Sequence, residues 1–350
     1  IKAEGDLLKG GEAEVLADIG SIKGETFNFS KMRDDSFKIS EKYTDIGYAF
    51  ANVDPRTEID RKMKIVNVNF VIDQGNIITV NRVQFAGNQK TNDNVVRRVL
   101  KIGEREVYSS SKIKRSETLL RRLGFFDEVT ITSDPSDKDD EVNLTVGLKE
   151  ARTGSFSIGG GISSGDGLVF SGRINENNVF GSGNSLTLDV NTGTIRENYV
   201  ISFKNPRVND TRWNFGFDLL SVERVFDDFD RNQAGGAVSV GYPLWFLGEE
   251  YLDDVTASLT YELLKVKIDD VEADAPQLIK NEEGSSTSSS ISPRIVRNTI
   301  DNPLDPMTGS KQLLKVELAG LGGDEKFWLA RLTNTWFTPI YDTEAGPLVF

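Results

Sequence analysis

Histidine, cysteine and clustered carboxylates carry most enzyme chemistry, and the first two are missing: the 350 residues include no His and no Cys. That removes Cys/His zinc sites, thiol nucleophiles and every triad with a histidine base. What remains is a triple glycine, Gly159-Gly160-Gly161, an acidic run from Asp134 to Asp140, and basic stretches at Lys112-Ile113-Lys114-Arg115 and Arg121-Arg122. The glycines lack the Lys-Ser/Thr and following helix of a phosphate loop. The acidic run lacks the ligand spacing and closing Glu of an EF-hand, and reads as a solvated hairpin loop. The basic stretches fall on helix faces, where solvated charge is the ordinary state. No catalytic residue, metal site or cofactor is therefore expected, and no enzymatic activity. With 54 acidic against 41 basic residues, a net −13, nucleic acid is not expected as a partner.

The elements around these residues follow two different patterns, which meet at Glu150-Ala151-Arg152-Thr153-Gly154. Before that seam the order β-α-α-β-β occurs twice. In residues 76–150, Val80 to Phe85 alternates as a strand and Ala86-Gly87-Asn88 turns the chain. Thr91 or Asn92 can cap a helix carrying Val95, Val96, Val99 and Leu100. One of Ser109, Ser110 and Ser111 starts a second helix with Ile113, Leu119, Leu120 and Leu123. Val129-Thr130-Ile131 and the alternating Val142, Leu144, Val146 and Leu148 are two strands. Residues 1–75 repeat the order. Val15, Leu16 and Ile19 mark one helix, Met32 to Tyr43 another, and Val66, Val68, Phe70 and Ile72 the closing strand. Gly47 and Gly124 end the second helix of each copy, as C′ residues in left-handed conformation. The opening strand of the first copy is cut short at Gly5-Asp6. Ile1-Lys2-Ala3-Glu4 is neither an initiator nor a charged leader, so the chain is expected to begin inside a longer protein.

From residue 151 to 350 the period becomes two. Leu168, Phe170, Gly172 and Ile174 oppose Val169, Ser171, Arg173 and Asn175. Leu186, Leu188 and Val190 oppose Thr187, Asp189 and Asn191; Trp213, Phe215, Phe217 and Leu219 oppose Asn214, Gly216 and Asp218. Val255, Ala257, Leu259, Tyr261 and Leu263 do the same against Thr256, Ser258, Thr260 and Glu262. About ten segments of roughly ten residues, each with one apolar and one polar face, fit the lipid-out, lumen-in pattern of a membrane barrel. A soluble β-sandwich also alternates, but its strands are shorter and fewer. No run is long and apolar enough to cross a membrane as a helix. Ser163 to Gly167 and Phe180 to Asn184 read as hairpin turns. Tyr242, Trp245, Phe246, Tyr251, Trp328 and Trp336 fall near strand ends, as an aromatic girdle would. Glu282 to Ser290 is polar and low in complexity and reads as a mobile loop.

Gly124-Phe125-Phe126-Asp127-Glu128-Val129 at the end of a β-α-α-β-β module, with Phe85-Ala86-Gly87-Asn88 after its first strand, resembles the POTRA domain. Asn177-Asn178-Val179-Phe180-Gly181-Ser182-Gly183-Asn184 resembles a hairpin of outer-membrane insertase barrels. Asp301-Asn302-Pro303-Leu304-Asp305-Pro306-Met307-Thr308-Gly309 resembles a stretch before a later barrel strand. In this order the motifs resemble the BamA family of outer-membrane β-barrel assembly proteins over essentially the whole chain. The family's late Arg-Gly-Phe-type loop motif is not reached, so the barrel is expected to be incomplete here. The implied fold is α+β POTRA modules, 1–75 and 76–150, followed by the N-terminal part of an antiparallel transmembrane β-barrel, 151–350.

The resemblance implies a bacterial outer-membrane location with periplasmic POTRA modules. Its implied partners are unfolded outer-membrane protein precursors, accessory lipoproteins of the assembly complex, and outer-membrane lipids. The edge strand that pairs with substrate would be Gly154, Ser155, Phe156, Ser157, Ile158, Gly159, Gly160, Gly161 and Ile162. Its glycines either weaken the strand so that a seam opens or fit a tightly curved barrel wall. Val129, Thr130 and Ile131 would offer a POTRA strand edge, and Arg97 and Glu104 docking charges for accessory proteins. The alternative is a POTRA-containing pore that transports a polypeptide, of the two-partner secretion or TamA-like kind.

Overall fold

The computed structural model describes residues 2–4, 7–163, 167–244, 254–301, 306–343 and 346–349. They form two compact units, 1–88 with 99–149, and 89–98 with 150–350. In chain order the first module consists of β1 (Lys2–Glu4), α1 (Gly11–Val15), α2 (Phe29–Thr44), β2 (Asn52–Asp60) and β3 (Ile65–Asp73). The second consists of β4 (Thr79–Ala86), α3 (Asp93–Arg97), α4 (Ser110–Arg122), β5 (Phe126–Pro135) and β6 (Glu141–Glu150). Both sheets place the last strand in the middle, parallel to the first and flanked by the fourth element, in the orders β1-β3-β2 and β4-β6-β5.

The sequence explains these elements locally. Met32, Asp35, Ser36, Ile39 and Tyr43 put one face of α2 inward, the three-and-four spacing of a half-buried helix. Asn28 caps it by accepting from the Ser30 and Lys31 N–H groups at 2.9 and 3.2 Å. Ile39 and Tyr43 pack with Val15, Phe70 and Ile72 in the first core. In β6, Val142, Leu144, Val146 and Leu148 are buried while their neighbours are not. The C-cap of α2, Asp45, reaches into the second module. Its Oδ1 accepts from the Ser111 N–H at 2.7 Å and the Ser110 hydroxyl at 3.0 Å, so a carboxylate from one module caps the long helix of the next.

Two expected helices are shorter than their apolar spacing suggests. The first ends at Val15, and Ile19 packs on the core from a loop instead. The cause is the buried carboxylate of Asp35, which takes the N–H groups of Gly20 and Ser21 at 2.6 and 2.9 Å and pulls the chain out of helix. The helix with Val95 and Val96 ends at Arg97, so Val99 and Leu100 lie outside it. There the Lys101 N–H is taken by the Ser116 hydroxyl of α4 at 2.8 Å.

The second unit contains one ten-stranded sheet with sequential neighbours. Its strands are β7 (Gly154–Ser163), β8 (Gly167–Val179), β9 (Asn184–Gly193), β10 (Arg196–Asn205), β11 (Asn214–Val225), β12 (Asp230–Pro243) and β13 (Val255–Asp269). After the short helix α5 (Gln277–Asn281) come β14 (Gly284–Asn298), β15 (Gly309–Ala319) and β16 (Trp328–Phe337). A two-stranded hairpin, β17 (Pro339–Thr343) and β18 (Gly346–Val349), follows. All nine neighbouring pairs are antiparallel, and among the described residues the outer edges of β7 and β16 pair with no strand.

The sheet is inside-out by the standards of a water-soluble fold. Its exposed residues include Phe170, Ile174, Ile201, Leu219, Leu259, Leu263 and Leu314, whereas Asn178, Asp189, Ser290, Ser292 and Ser310 are buried. Contiguous apolar exposure of this extent is a membrane surface. No helix among the described residues is long and apolar enough to cross a membrane.

The serine run is a strand and not the expected mobile loop. Ser285 to Ser290 pair with β13 from Lys267 to Glu262. On their other side the β15–β16 connection donates Gly320 N–H to the Ser289 carbonyl and Asp324 N–H to that of Thr287, at 3.0 and 2.7 Å. Serine has little strand preference of its own. Here two backbone partners impose extension, and hydroxyls such as Ser290 Oγ to Glu317 at 3.2 Å satisfy the buried polar groups. Of the expected girdle, Tyr242, Trp328 and Trp336 lie near strand ends. Trp245, Phe246 and Tyr251 lie outside the described residues, as do Ser164 to Asp166 of an expected turn and Asn302 to Asp305 of the motif before β15.

Candidate functional site

Among the described residues β7 pairs with β8 alone. Its register with β8 runs from Gly154↔Glu176 to Ser163↔Gly167 without a bulge. Phe156, Ile158, Gly160 and Ile162 share the apolar face; Ser155, Ser157, Gly159 and Gly161 share the polar one. Phe156, Ile158 and Ile162 are 68%, 77% and 86% exposed, so little packing holds this strand beyond its bonds to β8.

The glycines of β7 differ from the turn glycines elsewhere. None of Gly154, Gly159, Gly160 and Gly161 has a positive φ. A Cβ at Gly161 would meet nothing within 4 Å, and at Gly159 would meet only the Ser171 hydroxyl, at 2.9 Å. Neither conformation nor a backbone clash demands glycine at these two positions. What they do is remove side-chain packing and raise the entropy cost of ordering the strand.

The polar face of β7 to β10 lines a cleft of about 630 Å³, to which Ser155, Arg173, Asn175, Asp189, Asn191 and Arg196 contribute. Arg173 Nε donates to Asp189 at 2.5 Å and Thr187 to Asn175 at 2.7 Å. These are cross-strand pairs on the lumen side.

In the second module, β5 with Val129, Thr130 and Ile131 is an edge strand. The opposite edge, β4, is closed. The Val80 N–H donates to the Glu106 carbonyl at 2.9 Å, Arg105 N–H returns to that of Val80, and Glu104 Oε1 takes the Val83 N–H at 3.3 Å. Glu104 is thus committed to its own module. Arg97 ends α3 and is exposed. Along β5, Arg121 donates to the Val129 carbonyl at 2.8 Å. Arg121 is therefore engaged with the module's own backbone, whereas the sequence alone suggested only a solvated face.

Spacing gave no sign of the network that ties residues 89–98 to the sheet unit. Glu150 Oε1 accepts from the Thr91 and Lys90 N–H groups at 2.6 and 2.9 Å. The Thr91 hydroxyl accepts from Asn178 Nδ2 at 2.8 Å, and Asn178 Oδ1 takes the Gly183 N–H at 2.8 Å. The Asn177–Asn184 motif is therefore a turn closed by its own Asn178. At Gly181 a Cβ would fall 1.9 Å from the Lys90 carbonyl oxygen, which leaves glycine as the residue that fits. Desolvation alone would raise the Glu150 carboxyl, but the backbone donors of Thr91 and Lys90 outweigh it and hold it below its usual range. A depressed folded-state value means that the stabilisation is present at neutral pH and lost as pH falls through that value. The protection of the Lys90 and Thr91 amides, measured against their intrinsic exchange rate at each pH, is expected to fall on acidification below the usual carboxylate range. In Glu150→Gln it should be low already at pH 7, with little further change.

Two β-α-α-β-β modules followed by an antiparallel sheet that is apolar outside and polar inside define a POTRA-bearing outer-membrane barrel protein. The Omp85 superfamily domain matches residues 178–348, and the POTRA family, described as a surface antigen variable number repeat, matches 1–75 and 78–151. The outer membrane protein assembly factor BamA of Nitratidesulfovibrio vulgaris is 35% identical over 303 residues, covering 86% of this chain and 37% of that protein. BamA of Neorickettsia risticii is 28% identical over 98% of this chain and 47% of its own length. The crystal structure of Haemophilus ducreyi BamA lacking POTRA domains 1–3 superposes with a TM-score of 0.70 at 22% identity, over 97% of this chain and 67% of that one. CdiB from Acinetobacter baumannii gives 0.54 at 12% identity, over 96% and 62%. The chain belongs to the BamA family of the Omp85 superfamily. It is an outer-membrane protein with POTRA modules in the periplasm, and it spans less than half the length of these curated relatives.

Proposed function

We propose that this protein works within an outer-membrane protein assembly machinery, folding and inserting β-barrel precursors by strand pairing at the free edge of β7. The observation that carries the reading is a first barrel strand whose Gly159 and Gly161 are required neither by φ nor by backbone crowding. Unpaired backbone groups are costly in lipid, for the barrel edge and for an arriving strand alike. Pairing the two satisfies both, a form of β-augmentation. The Val129–Ile131 edge would receive unfolded precursor in the periplasm, and accessory lipoproteins would dock around Arg97. Glu104, bonded to its own β4, is the weaker docking candidate. Insertion on this reading draws on the folding free energy of the precursor.

The polar cleft on the inner face favours a second reading, transport of a polypeptide through the lumen. Crosslinking separates the two. Single cysteines are placed in the full-length protein at Ser155, Ser157 and Ile158, with controls on β11 and at the lumen positions Asp189 and Glu262. A stalled outer-membrane precursor in membranes is expected to crosslink to both faces of β7, Ile158 included, and not to β11. Crosslinks to Asp189, Glu262 and Ser155 with none at Ile158 would instead mean passage through the pore.

A further inference from the structure

A row of arginines crosses one end of β10, β11 and β12. Arg196 of β10 stands directly opposite Arg224 of β11, and Arg224 directly opposite Arg231 of β12. The chain enters β7 from the periplasmic modules, so by alternation the turns beside this row lie at the extracellular end of the sheet. Counting in twos from the lumen-side pair Ser202 and Asp218 puts all three arginines on the polar, lumen-facing side. All three are exposed, and among the described residues no hydrogen bond or ion pair engages their guanidinium groups. The carboxylates at this level, Glu197, Glu223, Asp230 and Asp269, occupy the alternate positions and so the opposite face. Like charges directly opposite one another destabilise a sheet. An anion on the lumen side would relieve that cost.

Two features build the row into a site. The Arg224 guanidinium lies over the Phe226 ring, 4.7 Å from its centroid, and Phe226 is stacked on Phe229 across the turn with centroids 4.5 Å apart. Stacking fixes the plane of the fork and leaves its N–H edge free. Arg196 also lines the cleft of about 630 Å³ with Ser155, Asn175, Asn191 and Asn198. The other cation there, Arg173, is neutralised by Asp189. Asn191 and Asn198 face each other across β9 and β10, next to Arg196.

We propose that this row binds a carboxylate-rich polypeptide segment at the extracellular mouth of the lumen, its acidic side chains on Arg196, Arg224 and Arg231 and its backbone on the amides beside Arg196. Neighbouring strands stand about 4.8 Å apart, so three guanidinium forks within about 10 Å meet neighbouring carboxylates of one short segment. Amide side chains both donate and accept, as a peptide backbone does, whereas a phosphate chain only accepts. The polar surroundings give an acyl chain nothing to pack on. The proposal rests on the outer-membrane placement and is independent of the seam reading, since its test involves no precursor and no β7 contact.

The test uses the full-length protein in detergent, with a bimane fluorophore on a cysteine at Val222, opposite Asn198 on the same face. A tryptophan-tagged peptide with several glutamates, its glutamine counterpart and inorganic pyrophosphate are titrated in turn, the last by displacement. The glutamate peptide is expected to quench half-maximally at a concentration about tenfold below that of the glutamine peptide, the scale of three solvent-exposed ion pairs. That preference should shrink as salt is raised. Replacing the row together, Arg196→Gln with Arg224→Gln and Arg231→Gln, should abolish it, and the corresponding lysine variant should retain most of it. The glutamine variant loses like-charge repulsion, so its unfolding temperature should not fall. Equal quenching by the two peptides, or an unchanged preference in the glutamine variant, would overturn the site. Tighter binding of pyrophosphate than of the glutamate peptide would overturn the polypeptide assignment in favour of a free anion.

Discussion

Replacing Gly159 and Gly161 together by valine is expected to slow assembly of outer-membrane precursors by roughly 30-fold, with the protein still folded and inserted. The two positions share the polar face of β7, opposite Ser171 and Val169 of β8. Exchanging glycine for a β-branched residue in a strand contributes about 1 kcal/mol per site, and about 2 kcal/mol in a pairing equilibrium is a factor of roughly 30. Gly161 admits the side chain outright, and at Gly159 the neighbour that must yield is the Ser171 hydroxyl, which can rotate. The variant should therefore order β7 and strengthen whatever pairing closes the seam on its other edge, so that the open edge is populated less. The readout is the assembly rate of a precursor in proteoliposomes, alongside amide exchange along β7. Slower exchange with an unchanged assembly rate would remove the glycines from the mechanism and leave curvature as their role.

The periplasmic modules offer a second large effect. Gly87→Val is expected to destabilise them by about 3 kcal/mol or more, lowering their unfolding temperature by roughly 10 °C or more. Gly87 has φ +94°, and a Cβ there would fall 1.9 Å from the Leu148 carbonyl oxygen on β6. The left-handed conformation and the close approach both exclude a side chain. Gly124, also left-handed at φ +69°, has nothing within 4 Å of its Cβ position. Gly124→Ala should therefore cost only about 1–2 kcal/mol. Thermal unfolding of the full-length protein, followed at the first transition, distinguishes them. Equal losses would mean that backbone conformation alone sets the cost and that the Leu148 carbonyl yields.

The local patterns were legible because each is a property of neighbouring residues. Helical spacing in α2 and α4, period two in β6 and β8 to β13, and glycine after each long helix all arise within one or two turns of chain. So did the division into modules and an inside-out sheet, since faces follow from alternation. The absence of histidine and cysteine excluded whole reaction classes by composition alone.

What only the tertiary structure decided were pairings between residues distant in sequence. The serine run became strand because β13 and the β15–β16 connection supply partners on both sides, against its own weak preference. The helix over Val15 to Ile19 was cut short because a carboxylate on α2 takes the Gly20 and Ser21 N–H groups. Glu150, Thr91 and Asn178 meet although no spacing relates them, and Glu104 proved to hold β4. How strictly a glycine is required was likewise undecided by sequence: Gly87 reads as a turn residue, Gly124 as a C′ residue and Gly161 as a strand residue, but none of these readings says what lies where a Cβ would be. The three glycines differ in φ and in what lies there, and both are set by the chain that folds back against them.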